Sequence, residues 1–253
     1  MKPFKIKATY GNVSVLESAT LMCLSQDPNH IIVNSKVTKK ERQKISFWYQ
    51  HHMFLPLAFN RHPRSALSVG LGAGSLVTTL KKACPACYIV ALENNPYVLE
   101  AAIKEFDFYL HNNVLIADML DYIRECTTTT TYDLIQIDTS SAYPHNPELY
   151  SASTLAKLGN LLTDDGIIVI NASGTLGMQA KVKRAVYNVF PSILDLPSGP
   201  SLDSVILAWK SPHRYSLKDV KSNLASLDKV DIFCNTLFDP VIRTKLYAKE
   251  FEI

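Results

Sequence analysis

The segment 65–96 constrains the fold more than any other part of the sequence, because it combines two apolar strands with a glycine-rich turn. The first strand runs into Gly70, Gly72 and Gly74, and the second strand ends at Glu93. Glycines in such a turn let the backbone bend sharply and approach a ligand without obstruction by a Cβ atom. An acid about 20 residues after the turn can accept hydrogen bonds from the hydroxyl groups of a ribose. The segment therefore predicts a strand-helix-strand unit that binds a nucleoside.

Strand and helix patterns alternate through the middle of the chain, which predicts a parallel sheet covered by helices on both faces. The predicted strands are 66–69, 88–92, 114–116, 133–137 and 167–170, and the predicted helices are 75–82, 97–106, 118–125 and 148–161. Two further apolar segments, 193–196 and 204–209, predict a terminal hairpin. Together these elements predict an α/β protein with the mostly parallel, seven-stranded sheet of a Rossmann-like methyltransferase fold.

A small antiparallel β domain is predicted to precede this sheet. Short alternating segments at 4–7, 13–16, 21–24 and 31–33 are separated by the turn signals Gly11-Asn12 and Asp27-Pro28-Asn29. We therefore expect an N-terminal β-hairpin domain over 1–40 and a Rossmann-like domain over 41–253. The second domain is predicted to open with a helix at 41–59 and to end with helices at 217–227 and 236–251.

Charge and hydropathy exclude several classes of function. The formal net charge is only +3, and the densest basic run, at 36–44, contains Glu41 and no interleaved aromatic residue. We interpret that run as an exposed segment and expect no nucleic-acid partner. The sequence has no apolar stretch long enough to span a bilayer, and its start lacks an apolar secretory core. A cytoplasmic protein without a membrane partner is the expectation.

Cysteine and histidine usage predicts neither a disulfide framework nor a metal site. The five cysteines are an odd number scattered over a long chain. Cys84 and Cys87 form a C-x-x-C pair without a second pair or a nearby histidine, so we interpret them as structural. The neighbouring His51 and His52 would diverge by about 100° on a helix and could not readily bind one ion.

Acids follow consecutive predicted strands, where ligands bind in an open parallel sheet. Glu93 follows the second strand, Asp118 the third and Asp138 the fourth. Glu93 is placed to accept from a ribose and Asp118 from an adenine amino group, which predicts an adenosine site. Structural alternatives exist, since Asp118 could cap the following helix and Asp138 could stabilise a turn.

The glycine turn argues against two other nucleotide sites. No Gly-Lys-Ser/Thr follows Gly74, which excludes a P-loop, and the spacing of the third glycine is too short for G-x-G-x-x-G. A nucleotide-binding oxidoreductase is therefore disfavoured.

Taken with these acids, the chain resembles the spermidine synthase-like, or polyamine aminopropyltransferase, branch of the class I S-adenosylmethionine-dependent transferases. The similarity extends over nearly the whole chain. It rests on FWYQ at 47–50, LPL at 55–57, GLGAG at 70–74, LENNP at 92–96, AD at 117–118, YDLIQID at 132–138, LY at 149–150 and PSG at 197–199.

The resemblance implies a donor, an acceptor and a set of site residues. The donor would be S-adenosylmethionine or its decarboxylated form, and the acceptor a small molecule such as a polyamine; the family often dimerises, so a homodimer is one expectation. Glu93 would hold the ribose, Asp118 the adenine, and Asp138 would orient the attacking amine, with Tyr49 lining the acceptor channel. The glycine turn, residues Gly70, Gly72, Ala73 and Gly74, would contact the donor.

Three departures from the family pattern argue against an ordinary spermidine synthase. Ala73 replaces the acid of G-G-G-D-G that binds the donor's amino group, Ser141 replaces the second acid of D-S-S-D-P, and His51 replaces a further acid. Each lost charge-assisted contact costs about 1.5 to 3 kcal/mol. An acid at this position would repel the carboxylate of intact S-adenosylmethionine. Alanine at position 73 therefore favours the intact donor over the decarboxylated one.

Two hypotheses follow from these residues. The first is a transferase that moves a methyl or an aminopropyl group to an unidentified small acceptor, with Asp138 and Tyr49 as catalytic residues. The alternative is a non-catalytic, spermidine synthase-like binding module. The same three missing acids favour this alternative.

Overall fold

The computed structural model describes residues 4–126, 130–139, 146–197, 204–211 and 217–228 of the chain. These residues form two β-sheets. The strands of the first sheet are β1 (Lys5–Tyr10), β2 (Val13–Glu17), β3 (Leu21–Ser25) and β4 (Ser35–Thr38). The strands of the second sheet are β5 (Ser65–Val69), β6 (Tyr88–Glu93), β7 (Val114–Ile116), β8 (Tyr132–Ile137), β9 (Leu162–Ala172), β10 (Ser192–Pro197) and β11 (Ser204–Trp209).

Helices connect and cover these strands. They are α1 (Trp48–His52), α2 (Pro56–Phe59), α3 (Ser75–Ala83), α4 (Pro96–Phe106), α5 (Met119–Glu125), α6 (Ala152–Asn160), α7 (Leu176–Val189) and α8 (Leu217–Asp228). Two short 3-10 turns occur at His111–Asn113 and Pro147–Tyr150. None of the helices in the described part of the chain is long and apolar enough to cross a membrane.

The second sheet has the order β10-β11-β9-β8-β5-β6-β7. Strands β9, β8, β5, β6 and β7 run parallel, whereas β11 is antiparallel to β9 and β10 is antiparallel to β11. The predicted seven-stranded, mostly parallel sheet with a terminal hairpin is confirmed. The chain moves outward from β5 to β7 and then returns to β8 on the other side of β5. The carboxyl ends of β5 and β8 are thus a topological switch point, where ligands bind in such sheets.

Residues of the central strands alternate between two hydrophobic cores. Leu134 belongs to the core under α3 and α4, and the adjacent Ile135 belongs to the core under α5, α6 and α7. Both residues are fully buried, as parallel strands covered on both faces require. The sheet is therefore a rigid base for residues at its strand ends.

The N-terminal sheet packs on the same side as α3 and α4. Val15, Leu24 and Val37 are completely buried and share a core with the residues of those helices. A hydrogen bond of 2.7 Å from Tyr10 Oη to Glu105 Oε1 adds a polar contact with α4. The sheet predicted for 1–40 is present; the division into domains at residue 40 stays a prediction.

The fourth N-terminal strand is Ser35–Thr38, so the prediction of a strand at 31–33 was wrong. The carboxylate of Asp27 accepts backbone N–H groups from Asn29, Ile31 and Ile32 at 3.0, 2.8 and 3.0 Å. These bonds lower the pKa of Asp27 and use donors that a β-ladder would need. The segment 26–34 is consequently a loop that precedes β4.

The prediction of one helix at 41–59 was also wrong, because the structure contains two short helices there. Gln50 Oε1 accepts the N–H groups of Ser46 and Phe47 at 2.8 and 3.0 Å, which caps the start of α1. Pro56 then begins α2, since proline is favoured in the first turn of a helix.

One further helix prediction changed in extent, one is confirmed, and one lies outside the described residues. The helix predicted at 148–161 begins later, at Ala152, because the Ser151 side chain accepts the N–H of Thr154 and caps α6. The helix predicted at 217–227 is confirmed as α8, whereas the segment 236–251 lies outside the described residues.

Candidate functional site

A cavity of about 680 Å³ lies at the switch point, between the carboxyl ends of the strands and the N-terminal sheet. This volume is within the range of small-molecule sites. Among the described residues that line it, the acidic side chains are Glu93, Asp118 and Asp138, and none is a lysine or arginine. The cavity therefore brings together the three acids expected at strand ends and presents negative charge to a ligand.

The glycine turn is held in place from two sides. Gly70 has a φ of +89°, and a Cβ there would lie 2.2 Å from the backbone oxygen of Asp138. Gly72 has a φ of +53°, and a Cβ there would lie 2.3 Å from Ser35 Oγ. Ser35 Oγ also accepts the N–H of Ala73 at 3.0 Å. Strand β4 thus rests on the turn at Gly72 and Ala73, and the residue that follows β8 rests on it at Gly70. The positive φ angles and these close approaches favour glycine at both positions.

The four predicted turn residues differ in their relation to the cavity. Gly70 and Gly72 line it, whereas Ala73 and Gly74 are not part of its described wall. The side chain of Ala73 is in the hydrophobic core, and its carbonyl accepts Gln43 Nε2 at 3.1 Å. Gly74 occupies the N-cap position of α3. A direct role for Ala73 and Gly74 in donor binding stays a prediction.

Glu93 is held at the cavity wall by backbone donors. Its Oε2 accepts the N–H of Leu71 at 3.0 Å, and its Oε1 accepts the N–H of Asn95 at 3.0 Å. The residue is 8% exposed. Burial raises the pKa of Glu93, and the backbone N–H groups around it oppose that shift. The contact with Leu71 fixes the glycine turn relative to the end of β6.

Asp118 both caps a helix and lines the cavity. Its Oδ1 accepts the N–H of Leu120 at 2.7 Å, which is the N-cap interaction of α5. The structural role considered for this residue is therefore present, and the cap places the carboxylate at the end of β7 beside the cavity. Contact with an adenine amino group stays a prediction.

Exchanging Asp118 for serine separates these two roles, because serine also caps helices well. We expect the Asp118→Ser variant to keep its melting temperature and to bind an S-adenosyl ligand about tenfold more weakly, since a charge-assisted hydrogen bond is lost. Calorimetric titration and thermal unfolding measure both quantities. Asp121→Ser, on the same helix but not lining the cavity, is the control. Ligand affinity that is unchanged in Asp118→Ser, together with an unchanged melting temperature, would show that the residue is only a cap.

The carboxylate of Asp138 is fixed from both sides. Tyr49 Oη donates a hydrogen bond to Oδ2 at 3.1 Å, and Asn171 Nδ2 donates one to Oδ1 at 2.9 Å. These donors come from α1 and from the end of β9. Because each carboxylate oxygen accepts from a different donor, the two hydrogen bonds set the orientation of the carboxylate. The structure thus brings the two predicted catalytic residues, Asp138 and Tyr49, together.

Two hydroxyl groups that are hydrogen-bonded to each other lie beside Asp138. Thr139 Oγ1 and Tyr150 Oη are 2.7 Å apart. Burial, with the nearby charge of Asp138 as a further contribution, raises the pKa of Tyr150 to about 12. Tyr150 therefore keeps its proton at neutral pH. The short motif LY at 149–150 was noted in the sequence, but nothing in it assigned this position.

Aromatic residues form one wall of the cavity. Phe47 stacks on Tyr49 with ring centroids 5.7 Å apart, and Lys36 Nζ lies 5.0 Å from the centroid of Phe47. Trp48 and Ile32 also line the cavity, and their exposed fractions are 42% and 43%. The outer part of the cavity is accordingly apolar and open to solvent.

Sequence reasoning missed Ser35 and Asn171. Ser35 follows no recognisable motif, and its role depends on where β4 lies. Asn171 could have been found, because it comes directly after the predicted strand 167–170 and strand ends are where ligands bind. Ser141, which replaces the second acid of D-S-S-D-P, lies outside the described residues.

Within the described ranges, no group of three or more His, Cys, Asp or Glu side chains is arranged to hold a metal ion.

Known proteins resemble this chain in sequence and in structure, although no family model matches it. It is 32% identical over 164 residues to the human eEF1A lysine and N-terminal methyltransferase, a match that covers 56% of this chain and 24% of that protein. It is 25% identical over 230 residues to the polyamine aminopropyltransferase of Vibrio vulnificus, covering 87% of this chain and 76% of that enzyme. A spermidine synthase solved with the transition-state analogue AdoDATO superimposes with a TM-score of 0.65 at 18% identity, covering 92% of this chain and 84% of that one.

These matches differ in how much of the other protein they include. The chain spans 31% of the length of the Drosophila melanogaster eEF1A lysine and N-terminal methyltransferase homolog and 24% of the human protein. It spans about three quarters of the aminopropyltransferase.

Proposed function

We propose that the chain transfers a group from an S-adenosyl donor to an amine. Its fold is the class I S-adenosylmethionine-dependent fold in its spermidine synthase-like form, and its relatives include methyltransferases and aminopropyltransferases. One observation carries the proposal. Asp138, oriented by Tyr49 and Asn171, lines the same cavity as Glu93 and Asp118. One candidate carboxylate for orienting the acceptor and two candidate carboxylates for binding a nucleoside thus line the same cavity.

The donor would bind along the glycine turn. Glu93 would accept from the ribose hydroxyls and Asp118 from the adenine amino group, while Gly70 and Gly72 line the cavity beside them. A sulfonium donor carries positive charge, and the acidic wall of the cavity favours a cation. When bound, the sulfonium supplies an electrophilic carbon with a good leaving group.

The acceptor would be an amine held at Asp138. A protonated amine must first lose a proton, to Asp138 or to water, so that its lone pair is available. The N–C bond then forms as the C–S bond breaks, the electron pair of that bond remains on sulfur as a thioether, and the surplus N–H proton leaves to solvent. Asp138 contributes orientation and a proton-accepting oxygen.

Methyl transfer from intact S-adenosylmethionine is the form of the reaction that we favour. The eEF1A relatives are named as lysine and N-terminal methyltransferases, and Ala73 stands where the family synthases carry an acid for the amino group of the donor. The acceptors in those names are protein amines, which do not fit the expected small-molecule acceptor. Aminopropyl transfer is the second candidate, because the match to the Vibrio vulnificus enzyme extends over 87% of this chain.

Competing donors distinguish these candidates. The protein is titrated calorimetrically with S-adenosylmethionine and with decarboxylated S-adenosylmethionine, and transfer to an amine is followed by mass spectrometry. We expect tighter binding of the intact donor and methylated product. Aminopropylated product would establish the second candidate. Tight donor binding without transfer to lysine peptides, peptide N-termini or polyamines would instead support the non-catalytic binding module, and binding of neither donor would contradict both.

A further inference from the structure

Asn171 has a hydrogen-bond acceptor that the described residues leave unused. Its Nδ2 donates to Asp138, which fixes the orientation of the amide, because the opposite flip would place two oxygens against each other. Its Oδ1 is buried and has no hydrogen-bond partner among the described residues. The side chain is only 4% exposed and lines the cavity. An unpaired buried amide oxygen is costly unless a ligand supplies a donor.

We propose that Asn171 Oδ1 accepts one N–H of the acceptor amine while Asp138 accepts another, so that the site selects primary amines. This inference rests on the function proposed above. A neutral primary amine has two N–H groups and one lone pair. When both N–H groups are held, the lone pair is directed away from Asp138 and Asn171 and is free to attack.

The same geometry limits how often one nitrogen reacts. After one transfer the nitrogen becomes a secondary amine, and its neutral, attacking form has a single N–H. Either Asn171 Oδ1 or Asp138 then lacks a hydrogen-bond donor. A buried hydrogen-bond acceptor that is left unpaired discriminates strongly between ligands. A single transfer to each primary amine is the expected outcome.

A binding experiment tests the role of Asn171 without requiring turnover. The complex with S-adenosylhomocysteine is titrated with butylamine, which has N–H groups, and with butyltrimethylammonium, which has none. We expect Asn171→Leu to weaken butylamine binding about tenfold and to leave butyltrimethylammonium binding unchanged. Asn171→Thr, whose hydroxyl can both donate to Asp138 and accept, should fall between. Asn160→Leu, on the exposed face of α6, is the control.

A transfer experiment tests the consequence for specificity. The wild-type protein should use butylamine with a kcat/KM about tenfold above that for N-methylbutylamine, and Asn171→Leu should bring this ratio close to one. A general displacement of Asp138 would slow both amines equally and leave the ratio unchanged, so it is distinguishable from loss of the acceptor oxygen.

Several results would overturn the inference. They are a wild-type ratio near one, a ratio unaffected by Asn171→Leu, equal weakening of both ligands in the binding experiment, or no binding of butylamine to the wild-type complex. Absence of transfer to any amine would refute the proposed function instead, and the binding experiment would then decide the role of Asn171 by itself.

Discussion

Replacing Asp138 by asparagine should lower kcat/KM for transfer by about 100-fold to 10,000-fold, the range expected when a positioned proton acceptor is lost. Asparagine has the same shape and can still accept from Asn171, so the architecture of the cavity should survive. It loses the negative charge that, in the proposed reaction, orients a cationic amine and can receive its proton. The measurement is steady-state kinetics with the donor that binds more tightly.

Donor affinity decides how the Asp138→Asn result is interpreted. The donor Kd should change by less than about threefold, because Glu93 and Asp118 are untouched, and thermal unfolding should stay close to that of the wild type. Asp164→Asn is a suitable control, since that side chain is 93% exposed and lies near the start of β9, away from the cavity. Full activity of the Asp138→Asn variant would refute the assignment of Asp138 as the acceptor-orienting residue.

The second large effect is expected from Gly70→Ala. A Cβ at this position would lie 2.2 Å from the carbonyl oxygen of Asp138, and the φ of +89° is strained for alanine. The obstructing atom is backbone, so no change of rotamer can relieve the contact. We expect a loss of about 2 to 5 kcal/mol in the free energy of unfolding, from backbone strain and overpacking together. Urea denaturation measures it.

Gly177→Ala provides the matched control for this substitution. Gly177 lies in α7, and a Cβ there would meet nothing within 4 Å. Alanine at an open helical site should stabilise the protein by about 0.5 to 1 kcal/mol. Opposite signs for the two glycine substitutions are therefore expected. Equal stability of Gly70→Ala and the wild type would contradict the close packing of the turn on Asp138.

The sheet and the acids were predictable because they depend on patterns repeated along the chain. Buried parallel strands are nearly continuous apolar runs, and their ends are marked by the residues that follow, as with Glu93, Asp118 and Asp138. The N-terminal helix and the fourth strand were less predictable. Their positions depend on single side chains, Gln50 and Asp27, that take backbone donors away from regular structure.

The site itself was predictable only in part, for a related reason. Strand ends predict which residues face a cavity, but not which partners hold them. The hydrogen bonds to Asp138 come from Tyr49 and Asn171, which are far apart in sequence and meet only after folding. Ala73 is the converse case. Its place in the motif predicts contact with the donor. Ser35 and Gln43 hold its backbone, and it is not part of the described wall of the cavity, so that contact stays a prediction.

The packing of Gly70 against Asp138 has a consequence for how two substrates would bind. The N–H of Asp138 also donates to the carbonyl of Val69 at 2.9 Å, so the glycine turn and Asp138, which would face donor and acceptor in the proposed reaction, share one backbone junction. In the proposed reaction, a ligand that displaces one side of this junction would also displace the other. Occupancy at the two sides would then be thermodynamically coupled, and by reciprocity the factor by which the donor changes acceptor affinity would equal the factor by which the acceptor changes donor affinity.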